Sequence, residues 1–261
     1  KIVINNFKEL KLDKEYSIYA NGGFGKKEMF PSSDIDISLV EINTTKKNNH
    51  NLESFIAKLW DLGFQVGHSV RSIKDIKKIA KNDLKEFTSY LTRRALISNP
   101  QTDKQITKSL NGAWNKKSFF SAKLIEQEER YSSYHSTEFN LEPDLKESPG
   151  CMRDFQTSLW ILQQCFNLNS YDEILNSKEF GLEMKSALDS YNFIKTLRFA
   201  SNILSSKNRL SFESQIEISK SAKLGKSKGK ASVEKMMKDF YGHASNLSNF
   251  NNFVFETFKE K

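Results

Sequence analysis

The chain has 261 residues, 38% of them hydrophobic and 28% charged, with a formal net charge of +8. A chain of this length buries roughly three quarters of its unfolded surface, so it needs no disulfide or metal staple, and its composition excludes collagen-like, mucin-like and wholly disordered classes. The basic excess invites a nucleic-acid partner, but residues 1–150 carry 24 basic and 20 acidic side chains and residues 151–261 carry 16 and 12. That even spread argues against a dedicated nucleic-acid face. The basic cluster at Lys220, Lys223, Lys226, Lys228 and Lys230, interleaved with glycine and serine, reads as a solvated mobile loop. Cys151 and Cys165 are the only cysteines, too few for a metal cage or a disulfide framework. They point to a reducing compartment and so to the cytoplasm. The longest uncharged stretch, Phe155 to Tyr171, is broken by Gln156, Gln163, Gln164, Asn167 and Asn169, so no membrane span is expected. The first residue is Lys1 rather than Met, which suggests a piece cut from a longer protein.

In chain order, Ser17 to Ala20 is a short apolar strand ending at Asn21-Gly22-Gly23. Asp34 to Val40 alternates strictly, with Ile35, Ile37 and Leu39 on one face and Asp34, Asp36 and Ser38 on the other. Leu52, Phe55, Ile56, Leu59 and Trp60 recur at helical spacing up to Gly63, and Gln65 to Ser72 reads as another strand. From Asp75 onward the helical period dominates. Its stripes are Leu84–Phe87–Leu91–Ala95, Leu159–Leu162–Cys165–Phe166, Leu188–Tyr191–Ile194–Leu197, and a long last helix from Val233 to Val254. The fold class is therefore α+β. A mixed-sheet domain over 1–100 precedes an all-α domain over 101–261, with a boundary as late as 138 also compatible.

Asn21-Gly22-Gly23-Phe24-Gly25 closes the first strand. Glycines there let the backbone approach a ligand and turn N–H groups outward as an anion nest. The spacing is not that of a P-loop or dinucleotide fingerprint. Asp34 and Asp36, two apart on a strand, offer hard carboxylate oxygens of the kind that hold Mg²⁺ against nucleotide phosphates. Either feature alone is common. Together, a phosphate-cradling turn one strand before a carboxylate pair suits nucleotidyl transfer, which needs little beyond positioning and charge neutralisation.

GGFGKKEMFPSSDIDISL (22–39) resembles the nucleotidyltransferase signature in the form carried by bacterial protein-PII uridylyltransferase/uridylyl-removing enzymes. WDLGFQVGHSVRS (60–72), FNLEPDLKESPGCMRDFQTSLWI (139–161), NRLSF (208–212) and VEKMMKDFYGHASNLSNFN (233–251) resemble that family's later blocks in the same order. The resemblance implies a nucleotidyltransferase-fold domain followed by a helical bundle. It implies Gly22 and Gly23 at the triphosphate and Asp34 and Asp36 as metal-binding, catalytic aspartates, with Mg²⁺, or Mn²⁺ in its place, as cofactor. The implied reaction carries UMP from UTP to a tyrosine of the PII nitrogen-regulatory protein and releases pyrophosphate.

Family members continue into a hydrolase domain that removes UMP and into glutamine-sensing domains. This chain has no His-Asp dipeptide, so the removing activity is not assigned to it. Lys26 and Lys27 are candidates to neutralise phosphate, although Lys27 stands where a glycine is common. Arg71 on the third strand is a candidate phosphate contact, and His68 beside it a structural histidine. That strand holds no acid to complete a two-metal site. The resemblance suggests that the block after Pro149-Gly150 faces the cleft, which makes Lys146, Arg153 and Asp154 candidate nucleotide contacts; a first-turn acid such as Asp154 also simply favours its helix. Arg130 and His135 form an R-x4-H pattern seen in some ribonucleases, a short and weak motif. Alternative readings are a related protein adenylyltransferase, an antitoxin-type nucleotidyltransferase, and a nucleotide-binding regulatory module without catalysis.

Overall fold

The computed structural model describes residues 1–42, 49–134, 136–221 and 230–261, so most of the lysine cluster at 220–230 and His135 lie outside the described residues. The chain forms two compact units, one of Lys1–Met29 with Ser33–Asn115 and one of Phe30–Ser32 with Lys116–Lys261.

The first unit contains α1 (Ile2–Glu9), β1 (Tyr16–Ala20), α2 (Gly22–Lys26), β2 (Ile35–Glu41), α3 (Asn49–Asp61), β3 (Val66–Arg71), α4 (Ile73–Asn82), α5 (Leu84–Leu91), β4 (Arg94–Ile97) and α6 (Pro100–Leu110). The sheet order is β3-β2-β1-β4. β1 runs antiparallel to β2 and β4, and β2 runs parallel to β3. The alternation in β2 fixes which side is buried against helices. Ile35, Ile37 and Leu39 join Ile18, Phe7, Phe55 and Leu59 in one apolar cluster with α1 and α3. Phe7 and Phe55 meet edge to face at 5.4 Å, the offset geometry aromatic rings prefer. Asp36 and Ser38 consequently point to the other face.

The start signals of the later helices are satisfied locally. Ser72 and Asp75 form a reciprocal capping box on α4, Asp83 accepts the Lys85 and Glu86 amides of α5, and Asn99 caps α6 ahead of Pro100. Two elements differ from the sequence expectation. α1 lies ahead of the first expected strand, and Ala95 belongs to β4 rather than to a helical stripe. Leu91 and Ala95 are four apart, which imitates helical spacing. The backbone instead leaves α5 at Thr92 and pairs Ala95 with Tyr19. A four-residue strand is too short to show its own period.

The second unit is helical, with α7 (Lys116–Ser132), α8 (Met152–Phe166), α9 (Tyr171–Leu175), α10 (Gly181–Ser205), α11 (Phe212–Ser221) and α12 (Lys230–Lys259). α8 packs against α7, α10 and α12 and is buried at Met152, Phe155, Trp160, Ile161 and Leu162. Its first turn carries Asp154, wholly buried. That carboxylate accepts from Arg130 Nη2 at 2.5 Å, Tyr131 Oη at 2.6 Å and the Gly150 amide at 2.6 Å. Asp154 is thus an anchor between α7 and α8, more than a helix-dipole ornament. Arg130 also donates to the Glu147 carbonyl at 2.6 Å, so the arginine of the R-x4-H pattern is spent on structure. Asn251 of α12 completes the joint, donating to the Asp154 carbonyl and to Ser158 Oγ while accepting from Gln127. Gly150 has φ +72°, and a side chain there would run into the Ala244 carbonyl of α12.

Replacing Arg130 by Met leaves a buried carboxylate without its cation. We expect a loss of about 3–5 kcal/mol of stability by urea denaturation, as for other broken buried pairs. A change within about 0.5 kcal/mol, the range of ordinary surface substitutions, would contradict this reading of the joint.

Candidate functional site

The site is built where β1 ends beside the start of β2. Antiparallel pairing sets Ala20 against Ile37, so the chain leaving β1 passes next to Asp36, and the Asn21 amide donates to the Asp36 carbonyl at 2.9 Å. α2 then begins at Gly22, with φ +53° in the region that favours glycine. On the other side, parallel pairing sets Gly67 of β3 opposite Asp36. The carboxylate occupies the space between these two glycines. A Cβ on Gly22 would lie 2.7 Å from Oδ2, and a Cβ on Gly67 would lie 2.6 Å from Oδ1. Neither position accepts a side chain while the carboxylate stays in place. Asp34 is exposed, one residue ahead of β2.

A polar row runs across the same face of the sheet behind Asp36. Asn21 Nδ2 donates to Ser38 Oγ, which lies 3.1 Å from Ser69 Oγ. The Asn21 carbonyl also accepts the Gly25 amide at 2.7 Å, which closes the first turn of α2. Asn21 therefore ties together the turn and the aspartate strand. Beyond it, a Cβ on Gly23 would lie 3.0 Å from the Glu28 carbonyl. Lys26 ends α2, partly buried, and Lys27 follows in the left-handed region with φ 61°. That conformation costs a non-glycine residue about 1–2 kcal/mol.

Within the first unit, four of the expected residues and Asp34 lie close in the fold and one does not. Gly22, Gly23, Lys26, Asp34 and Asp36 share one turn and one strand end. Arg71 does not join them. It pairs with Val40, four residues along β3 from Gly67, a distance of about 13 Å at the usual strand rise. Its guanidinium meets Glu86 at 2.8 Å. Arg153 lies in the second unit and spends its fork on Glu147, at 2.7 and 3.1 Å, with its guanidinium near the Trp160 ring. Burial opposes the charge on Glu147, but the hydrogen bonds and charge of Arg153, with Lys146 and Arg130, hold its pKa down to about 2. His68 is exposed and lies edge-on to Trp60.

Among the described residues no group of three or more His, Cys, Asp or Glu side chains is placed to hold a metal. What fits a divalent cation is the pair Asp34 and Asp36. Their oxygens are the hard donors Mg²⁺ prefers, and the Asp36 carboxylate sits in a cradle that two missing side chains leave clear. Sequence reasoning missed Gly67 as a neighbour of Asp36 and Ser38 as the partner of Asn21, and it missed Arg94, which donates to the Phe24 and Gly25 carbonyls of the turn. A glycine inside a strand marks a close approach and was the available signal for Gly67. Arg94 carried no signal, because its strand read as helix.

A family model described as GlnD PII-uridylyltransferase matches residues 118–255. A bifunctional uridylyltransferase/uridylyl-removing enzyme of Haemophilus influenzae (strain PittEE) is 35% identical over 99% of this chain and 31% of its own. Proteins of the same description are 34% identical in Nitrosococcus oceani, over 96% of this chain and 29% of theirs, and in Pasteurella multocida (strain Pm70), over 95% and 29%. The chain thus spans about a third of the length of these relatives. A solved structure titled as a toxin-antitoxin with AMP-PNP aligns with 51% of this chain and 96% of its own at 19% identity and TM-score 0.30, too slight a likeness to bear on the site.

Glu147 stays ionised in the folded protein below the pH at which it protonates when unfolded. It therefore contributes stability above about pH 4.5 that is lost as pH falls toward about 2. Denaturation midpoints measured across this window should fall more steeply for the natural protein than for Glu147→Gln. Parallel profiles would show that the Arg153 pair does not hold the charge.

Proposed function

The chain belongs to the GlnD PII-uridylyltransferase family, and from that premise we propose that it transfers UMP from UTP to a tyrosine hydroxyl of the PII protein, releasing pyrophosphate. The observation that carries the reading is the Asp36 carboxylate seated between Gly22 and Gly67, with Asp34 two residues before it. Asp34 and Asp36 would hold Mg²⁺, or Mn²⁺ in its place, and the bound cation would neutralise phosphate charge and polarise the phosphorus under attack. The missing side chains of Gly22 and Gly23 let the turn close against the Asp36 carboxylate and the Glu28 carbonyl, and on this reading the backbone N–H groups of that turn receive the triphosphate. Lys26 adds a cation at the end of that turn. In the transfer, a bond forms between the tyrosine oxygen and the α-phosphorus, the bond from that phosphorus to the oxygen bridging to the β-phosphate breaks, pyrophosphate leaves with that oxygen, and the hydroxyl proton passes to solvent. The chain's part is positioning and charge, the two requirements of phosphoryl-group transfer.

The ion pairs of Arg71 and Arg153 argue against either as a phosphate contact, so neither has a role in this reading. Among the described residues no helix is long and apolar enough to cross a membrane. The acceptor we infer is a protein, and the even charge distribution gives no reason to prefer nucleic acid. A second reading, a nucleotide-binding module that does not catalyse, draws on one observation: no third acid joins the carboxylate pair among the described residues.

Incubation with each labelled nucleoside triphosphate, Mg²⁺ or Mn²⁺, and PII distinguishes these. Label should pass from UTP to PII. Asp34→Asn and Asp36→Asn should each lower transfer at least about a hundredfold, the scale for groups that stabilise transition-state charge. Near-wild-type transfer in both variants would remove the metal site from the account. Binding of nucleotide without transfer to any acceptor would favour the second reading.

A further inference from the structure

We propose that Arg94 is a positioning residue that braces the glycine turn across its whole length. Its guanidinium donates from Nη2 to the Phe24 carbonyl at 2.7 Å and from Nε to the Gly25 carbonyl at 3.0 Å. Its charged carbon lies 5.5 Å from the centre of the Phe24 ring. Its backbone is fixed at the opposite end of the turn, because Arg94 pairs with Ala20, the last residue of β1. One residue thus grips both the strand that enters the turn and the carbonyls that leave it.

The turn needs such a brace. α2 has five residues, too few to hold helical geometry unaided. It starts on a glycine of positive φ and is followed at once by Lys27, also of positive φ. Two successive carbonyls at its end accept from a single planar fork that also lies over an aromatic ring. Lysine cannot reproduce that arrangement, since it offers a point charge without a fork. On the reading that this turn receives the UTP phosphates, Arg94 acts through the backbone of Gly22 and Gly23 and touches neither substrate nor metal.

The test uses the whole chain with Arg94→Ala and Arg94→Lys. Amide hydrogen exchange, which needs no nucleotide, should quicken at 22–26 by at least about tenfold in both variants while the amides of β2 stay protected. In the transfer assay the KM for UTP should rise about tenfold, with kcat changed much less, because the phosphate-holding turn is displaced while the aspartates are not. Free guanidinium at sub-denaturing concentration should recover part of the loss in Arg94→Ala and none in Asp36→Asn. Unchanged exchange at 22–26 would overturn the proposal. So would exchange that quickens equally throughout the first unit without guanidinium rescue, the mark of a merely structural arginine. If the natural protein transfers no UMP, the uridylyltransferase reading fails, and the exchange measurement still decides whether Arg94 braces the turn.

Discussion

The site depends on one steric constraint. The Asp36 carboxylate fills the volume that side chains at residues 22 and 67 would occupy. Three strands must keep their register for this to hold. β1 must end one residue before Asn21 so that the turn passes beside Asp36, and β3 must run parallel to β2 so that Gly67 falls opposite it. The apolar alternation of β2 supplies the rest. With Ile35, Ile37 and Leu39 committed to the helices of the core, Asp36 has only the other face available. A slip of one residue would bury the aspartate among phenylalanines.

The second unit solves a different problem with similar means. Its central helix carries a buried carboxylate, which is costly without partners. Arg130, Tyr131 and the Gly150 amide satisfy Asp154, and Asn251 fastens the same turn to the last helix. Arg153 and Glu147 form a separate bidentate pair next to it. This charged layer belongs to the stretch matched by the family model. It is accounted for by packing, since each of these arginines is matched by a carboxylate.

Much of the site was legible in the sequence because it depends on local pattern. The period-two alternation of 34–40, the Gly-Gly turn and the helical stripes of α3, α8, α10 and α12 are short-range features, and the structure shows each in place. Partnerships across strands and helices were not legible. Nothing near Arg71 in sequence announces Glu86, and nothing near Arg153 marks Glu147 as the partner that takes its Nε and Nη2. Arg94 was hidden for a further reason: a four-residue strand that follows a helix at helical spacing has no period of its own. Asp154 is the first-turn acid the sequence indicated, and it is also wholly buried, which only tertiary packing determines.

Gly67 leaves room for the Asp36 carboxylate, which we propose holds the metal. The most direct measurement is Mn²⁺ affinity of Gly67→Ala by spin-resonance titration, with circular dichroism to show that the variant folds. Affinity should be at least about tenfold weaker than in the natural protein, the usual scale for disturbing the setting of a metal ligand. A folded Gly67→Ala protein with unchanged Mn²⁺ affinity would contradict it.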